Sequence, residues 1–312
     1  MTTLPALVGI TTVTGLATGL GALPVFFRSR VTHRVYDAAL GLAAGLMVAA
    51  SVFGLIIPGL EEGTLSAVMT GVFLGGIVLL GGNYAIPHLH AQYRKWLPEG
   101  GATDDDVESM PTSEDGSGMT ADDPFPEASA DAAGDTGDAA SEFTADADDE
   151  EATAAADAAR EVTLRKALLI GGAITLHNAP EGLAIGVAFA SGLEEVALLL
   201  AVVIGLQNVP DGFAFAVPMA DTGMSNARVL WYTMLSGVVP QVVASVFGFS
   251  LVSVAAGLFP ISSGFAAGAM LAVVFRELIP SSHGHGHADA ATGAFLVGFV
   301  LLVVVDAVVV VA

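Results

Sequence analysis

The chain has 312 residues, 54% of them hydrophobic, with a mean hydropathy of +0.70 and a formal net charge of −22. Repeated apolar runs of about 20 residues, the length that crosses a bilayer core, exclude an ordinary soluble domain and mark a polytopic all-α membrane protein. There is no cysteine, so disulfides and thiolate metal ligands are excluded, and no nucleic-acid partner is expected.

Taken in order, the hydropathy pattern predicts eight transmembrane helices, at about 5–27, 37–57, 65–90, 167–190, 196–219, 229–253, 264–282 and 291–311. The first residues carry no basic stretch, and Arg28 and Arg30 follow the first apolar run. That pattern predicts a retained helix rather than a cleaved leader. The basic residues Arg28, Arg30, Arg34, Arg94, Lys95, Arg160, Arg165, Lys166, Arg228 and Arg276 all fall on one side of the eight spans. Basic residues are enriched in cytoplasmic connections, which predicts extracellular termini. Tyr36, Tyr93, Trp96, Trp231 and Tyr232 fall at the same inner ends, as an interfacial aromatic belt would. The connections at 58–64, 191–195 and 256–263 are then external.

Between spans three and four, 21 of the 32 acids lie in residues 99–161. This stretch of Asp, Glu, Ala, Ser, Thr and Gly cannot bury enough apolar surface to fold, and reads as a disordered cytoplasmic loop. The organisation is one transmembrane domain, with spans one to three in residues 1–97, the acidic loop in 98–162 and spans four to eight in 163–312.

The chemistry lies in spans four and five. His177-Asn178-Ala179-Pro180-Glu181-Gly182 sits inside an apolar run, and Gln207-Asn208-Val209-Pro210-Asp211-Gly212 follows it 30 residues on. Positions i and i+4 share a helical face, so His177 pairs with Glu181 and Gln207 with Asp211. Pro180 and Pro210 remove backbone donors within each pair, and Gly182 and Gly212 permit close helix contact. A carboxylate at mid-membrane costs about 2.5–3.5 kcal/mol on insertion scales. Two of them facing each other call for a dication. One imidazole, two carboxylates and amide oxygens suit Zn²⁺, Fe²⁺, Mn²⁺, Co²⁺ or Cd²⁺, with Met47 as one further soft ligand. The bland alternative is a polar network that merely fastens the bundle.

Six other histidines, His33, His88, His90, His283, His285 and His287, fall at the predicted inner face. Glu277, His283, His285, His287, His88 and His90 are the candidates for a cytoplasmic exit.

On these residues the sequence resembles the ZIP (ZRT/IRT-like) metal transporter family, in its GufA-like prokaryotic branch. The first motif matches the family's fourth-helix His-Asn-x-Pro-Glu-Gly, and the second resembles its fifth-helix counterpart. Supporting stretches are Gly45 to Ser51, Pro87 to His90, and Ala267 to Pro280. The resemblance implies an inverted-repeat bundle with a metal site between helices four and five. It implies His177, Asn178, Glu181, Gln207, Asn208 and Asp211 as ligands, with Met47 an extra. It implies uptake of divalent metal ions across the plasma membrane, Zn²⁺ foremost, with the metal as substrate and no cofactor. It also implies homodimers and alternating access by an elevator-like slide. Two departures narrow this. Asp211 stands where the family usually has Glu, and the sixth span reads Val239-Pro240-Gln241 where many relatives place an acid before Pro in completing a second metal position. One strong site on His177, Glu181 and Asp211 is therefore expected, with the second position weak or empty.

An enzyme is not expected, since the His-Glu-x-x-His of a membrane metalloprotease and a phosphate-binding loop are both missing from the sequence. A divalent-cation channel, or a scaffold that binds metal and moves nothing, would use the same residues.

Overall fold

The computed structural model describes residues 3–26, 32–93, 177–220 and 224–311, without side chains at 83–93, 218 and 309–311. In chain order the helices are α1 (Leu4–Leu20), α2 (Leu23–Phe26), α3 (His33–Ala49), a π-helix (Ala50–Ile56), α4 (Ile57–Glu61) and α5 (Leu65–Tyr93). They continue with α6 (177–191), α7 (Glu194–Ala220), α8 (Asn226–Val254) and α9 (Phe259–Val273). A second π-helix (Val274–Leu278), α10 (Ile279–His283) and α11 (Ala288–Val311) complete the chain. No β-sheet forms among the described residues.

Seven of the described helical stretches are long and apolar enough to cross a membrane. Together α3, its π-helix and α4 form one of them, Leu4–Phe26 another, and Ala256–His283 a third. The predicted fourth span is described only as α6. Its first part, the acidic stretch 99–161, and Arg28, Arg30, Arg94, Lys95, Trp96, Arg160, Arg165 and Lys166 lie outside the described residues.

Two expected external connections prove partly helical. Helix continues past Ile57 to Glu61, and helix already begins at Phe259 rather than Gly264. Pro260 stands in the first turn of a new α-helix, where the missing N–H has no partner to lose and the fixed φ favours helix. Pro58 stands where the π-helix returns to α-helix, and the helix runs through it without a break.

The two π-helices expose a repeat. Ala43-Ala44-Gly45-Leu46-Met47 in α3 recurs as Ala266-Ala267-Gly268-Ala269-Met270 in α9. Val52-Phe53-Gly54-Leu55-Ile56-Ile57-Pro58 then recurs as Val274-Phe275-Arg276-Glu277-Leu278-Ile279-Pro280. Both copies widen into a π-helix and resume as α-helix at Ile-Pro. π-helical turns within α-helices are frequent at functional sites.

Packing places α3 against α11, α5 against α9, and α1 against both α7 and α8. The spans containing α3, α7 and α9 are mostly buried, while α5 and α11 turn Phe73, Ile77, Val297, Val300 and Val304 outward. Such apolar surface suits helices whose solvent is lipid. Tyr36, expected in the interfacial belt, points inward: its ring meets Phe213 at 5.9 Å and its hydroxyl donates to the Ala214 carbonyl at 3.4 Å.

Gly182 and Gly212 do permit close contact, though not with each other. A Cβ on Gly182 would strike the Gln241 backbone of α8, and one on Gly212 the Thr18 backbone of α1. Gly293 on α11 has open space instead. Gly212→Ala should therefore destabilise the protein by about 1–3 kcal/mol, the usual cost of overpacking, whereas Gly293→Ala should be neutral or slightly stabilising. Thermal unfolding of detergent-solubilised protein, followed by tryptophan fluorescence, checks both.

Candidate metal centre

Helix α6 carries His177, Asn178 and Glu181, and α7 carries Gln207, Asn208 and Asp211. All six are buried, at 5%, 0%, 0%, 0%, 0% and 4% exposure respectively. The structure brings them together. Ligand atoms of His177, Glu181 and Asp211 lie within 4.8 Å of one another, the one such group of three found among the described residues. His177 Nε2 stands 3.4 Å from Asp211 Oδ2. A tetrahedral ion with bonds of about 2.1 Å separates its ligands by about 3.4 Å, so the gap between these atoms already fits one.

Glu181 is held by amides. Gln207 Nε2 donates to its Oε1 at 2.6 Å, and Gln241 Nε2 donates to its Oε2 at 2.6 Å. The Gln241 amide also donates to Asn178 Oδ1 at 3.2 Å, and its own Oε1 accepts the Thr14 hydroxyl at 3.1 Å. The two asparagines anchor the motifs to neighbouring helices. Asn178 Nδ2 donates to the Ser236 carbonyl of α8 at 3.1 Å, and Asn208 Nδ2 to the Thr14 carbonyl of α1 at 2.7 Å. Pro240 explains the first acceptor. It has no N–H for the carbonyl four residues earlier, and that carbonyl is Ser236.

What remains is a set of acceptors without donors. His177 Nε2, Gln207 Oε1, Asn208 Oδ1 and both carboxylate oxygens of Asp211 are buried with no hydrogen-bond partner. Each such group costs about 1–3 kcal/mol when left unmet. All five belong to the two facing motifs, and all are nitrogen or oxygen donors suited to a borderline divalent metal.

The other expected residues divide. Met47 is fully buried in the apolar core, where its carbonyl accepts the Ser51 hydroxyl at 2.8 Å. Glu277, expected along the exit, borders the triad: its Oε2 lies 3.7 Å from His177 Nδ1, within ion-pair reach. His283 Nδ1 lies 3.0 Å from both the Ile279 carbonyl and the Ser282 hydroxyl. His285 Nδ1 lies 2.8 Å from Asp37 Oδ1, and His287 Nε2 is buried. His88 and His90 lie on α5, where side chains fall outside the described residues.

Thr14 and Gln241 went unnoticed in the sequence as site residues. A signal was present for Gln241. Pro180-Glu181, Pro210-Asp211 and Pro240-Gln241 repeat at intervals of 30, with an amide in the third where the first two carry acids.

The unmet acceptors generate a test. Asp211→Asn keeps the shape and supplies two N–H donors to neighbours that lack them. Metal-free Asn variant should unfold at a higher temperature than metal-free wild type, by up to about 1–3 kcal/mol in stability. It should also lose most of the stabilisation that added Cd²⁺ gives the wild type. Differential scanning fluorimetry with and without Cd²⁺ measures both.

The family model described as "ZIP Zinc transporter" matches residues 3–309. The chain is 32% identical to the zinc transporter GufA of Myxococcus xanthus over 301 residues, 94% of each chain. It is 33% identical to the human zinc transporter ZIP11 over 328 residues, 93% of each. With the zinc transporter ZIPB of Bordetella bronchiseptica it shares 32% identity over 93% of this chain and 77% of that one. With its buried His-Glu-Asp triad between two apolar helices, this multi-pass membrane protein belongs to the ZIP family of zinc transporters.

Proposed function

We propose that this protein carries divalent transition-metal ions, Zn²⁺ foremost, across the plasma membrane into the cytoplasm. One ion at a time binds between α6 and α7 at His177, Glu181 and Asp211, with Gln207 and Asn208 oxygens as further donors. The observation that carries this reading is the group of five buried acceptors with no partner, beside a 3.4 Å gap between His177 and Asp211.

Three features support it. First, the relatives are named zinc transporters. Second, Glu277 sits at the far nitrogen of His177. A carboxylate there orients a metal-binding imidazole and raises its basicity. Third, Gln241 donates into Glu181 and Asn178, where an acid would help to bind a second ion. The amide supplies a neutral clamp, which fits a single-ion centre. The same amides serve the empty carrier. When the ion leaves, Gln207 and Gln241 still hold both oxygens of Glu181, so that carboxylate never stands unsolvated in the membrane.

The basic residues support extracellular termini, and the inward direction rests on the family resemblance. The repeat between the second and seventh spans, which run in opposite directions through the membrane, fits an inverted-repeat carrier with its site at the centre. On this reading the protein is a transporter and not an enzyme. Homodimers fit the family.

The test is Zn²⁺ uptake into proteoliposomes. Wild type should show saturable, slow turnover. His177→Ala and Glu181→Ala should each reduce the initial rate by more than the roughly 10–100-fold that loss of an outer-shell partner costs. Normal uptake by both variants overturns the site, and channel-like conductance overturns the carrier mechanism. Gln241→Glu should raise Cd²⁺ binding at the centre from one ion to two, read by anomalous scattering from crystals.

A further inference from the structure

Asp37 belongs to none of the motifs above, yet it is fully buried near the start of α3. It follows His33 by four residues, so the two share a face, with the same His-x-x-x-acid spacing as His177 and Glu181. Its Oδ1 lies 2.8 Å from His285 Nδ1, in the turn between α10 and α11. The His285 ring stacks on His33, with centroids 4.6 Å apart and planes 26° apart, and meets the edge of Tyr36 at 5.5 Å. Asp37 Oδ2 has no hydrogen-bond partner, and neither does the buried Nε2 of His287. Gly286, at φ 84°, turns the chain between His285 and His287.

A plain Asp–His latch would tie this turn to α3 and nothing more. It would leave a buried carboxylate oxygen unmet at a cost of about 1–3 kcal/mol, with the His285 ring at the other oxygen and the His33 ring stacked on that of His285. A divalent ion held by both carboxylate oxygens of Asp37 meets the unpartnered one while replacing the Oδ1–His285 hydrogen bond.

We propose that Asp37 and His285, joined by His33, form a second divalent-metal site at the end of the bundle where α3 begins and α10 ends. The ion replaces the proton shared by Asp37 and His285, and their separation opens from 2.8 Å to about 3.4 Å as it enters. The three residues are gathered less tightly than the central triad, so His33 must turn from its stacked position to bind. The site is therefore the weaker of the two, as suits a place that receives an ion and lets it go. This deepens the transport reading and rests on it for that role: Glu277 beside His177 lies within the second π-helix, and His285 beside Asp37 lies in the turn that follows α10, so one short stretch of chain touches both sites.

The test is equilibrium binding of radioactive Cd²⁺ to the full-length protein in nanodiscs, with excess Mg²⁺ to occupy oxygen-only sites on the acidic segment. Wild type should bind two ions with different affinities. His285→Ala and Asp37→Asn should each lose the weaker one and keep the stronger at unchanged affinity, which also shows that the variant has folded. Glu181→Ala should lose the stronger one, and Glu181→Ala with His285→Ala should lose both. If His285→Ala binds Cd²⁺ as wild type does, the second site is overturned while the transport reading stands. If Glu181→Ala keeps both ions, the central site is overturned and the inner one stands.

Discussion

Everything in this fold is arranged around one constraint, that a carboxylate inside a hydrocarbon layer must have partners. Glu181 has two, the amides of Gln207 and Gln241, each at 2.6 Å. Those amides must themselves be placed, and the chain of placement runs outward. Thr14 on α1 holds Gln241, Thr14 also receives Asn208, and Pro240 releases the carbonyl that receives Asn178. Four helices are thus fixed relative to one another by the needs of one acid. Asp211 is treated differently. It is just as buried, but neither of its oxygens has a hydrogen-bond partner, and the His177 imidazole stands 3.4 Å away. The centre thus joins a carboxylate already held by amides to one whose oxygens await a partner.

Much of this was legible in the residues. Apolar runs of bilayer length locate helices because lipid offers the backbone no hydrogen bonds. The His177 and Gln207 motifs identify the facing pair because helical periodicity aligns i with i+4. What was not legible depends on through-space pairing. Gln241 reads as one more residue of a span without its acid until its amide is seen against Glu181. Glu277 reads as an exit residue until a π-helix sets it beside His177, a change of helical register with no reliable signature in a single sequence. The helix at 57–61 and at 259–263 runs into expected connections because proline's effect depends on its position within the helix.

Asp37 shows the same limit from the other side. Its spacing from His33 was visible, but a His and an Asp four apart near a helix start usually form an exposed polar face. Only the approach of His285 from a turn 248 residues away makes the pair part of a cluster.

The repeated π-helices carry a final consequence. Superposing the two copies by sequence sets Leu55 in the place of Glu277. Leu55 is fully buried and apolar, whereas Glu277 is partly exposed and charged. The backbone is duplicated but its lining is not. One half of the molecule therefore sets an acid beside the centre where the matching position of the other half holds an apolar core residue. A scaffold built by duplication has in this way acquired a polarity that its architecture alone does not contain.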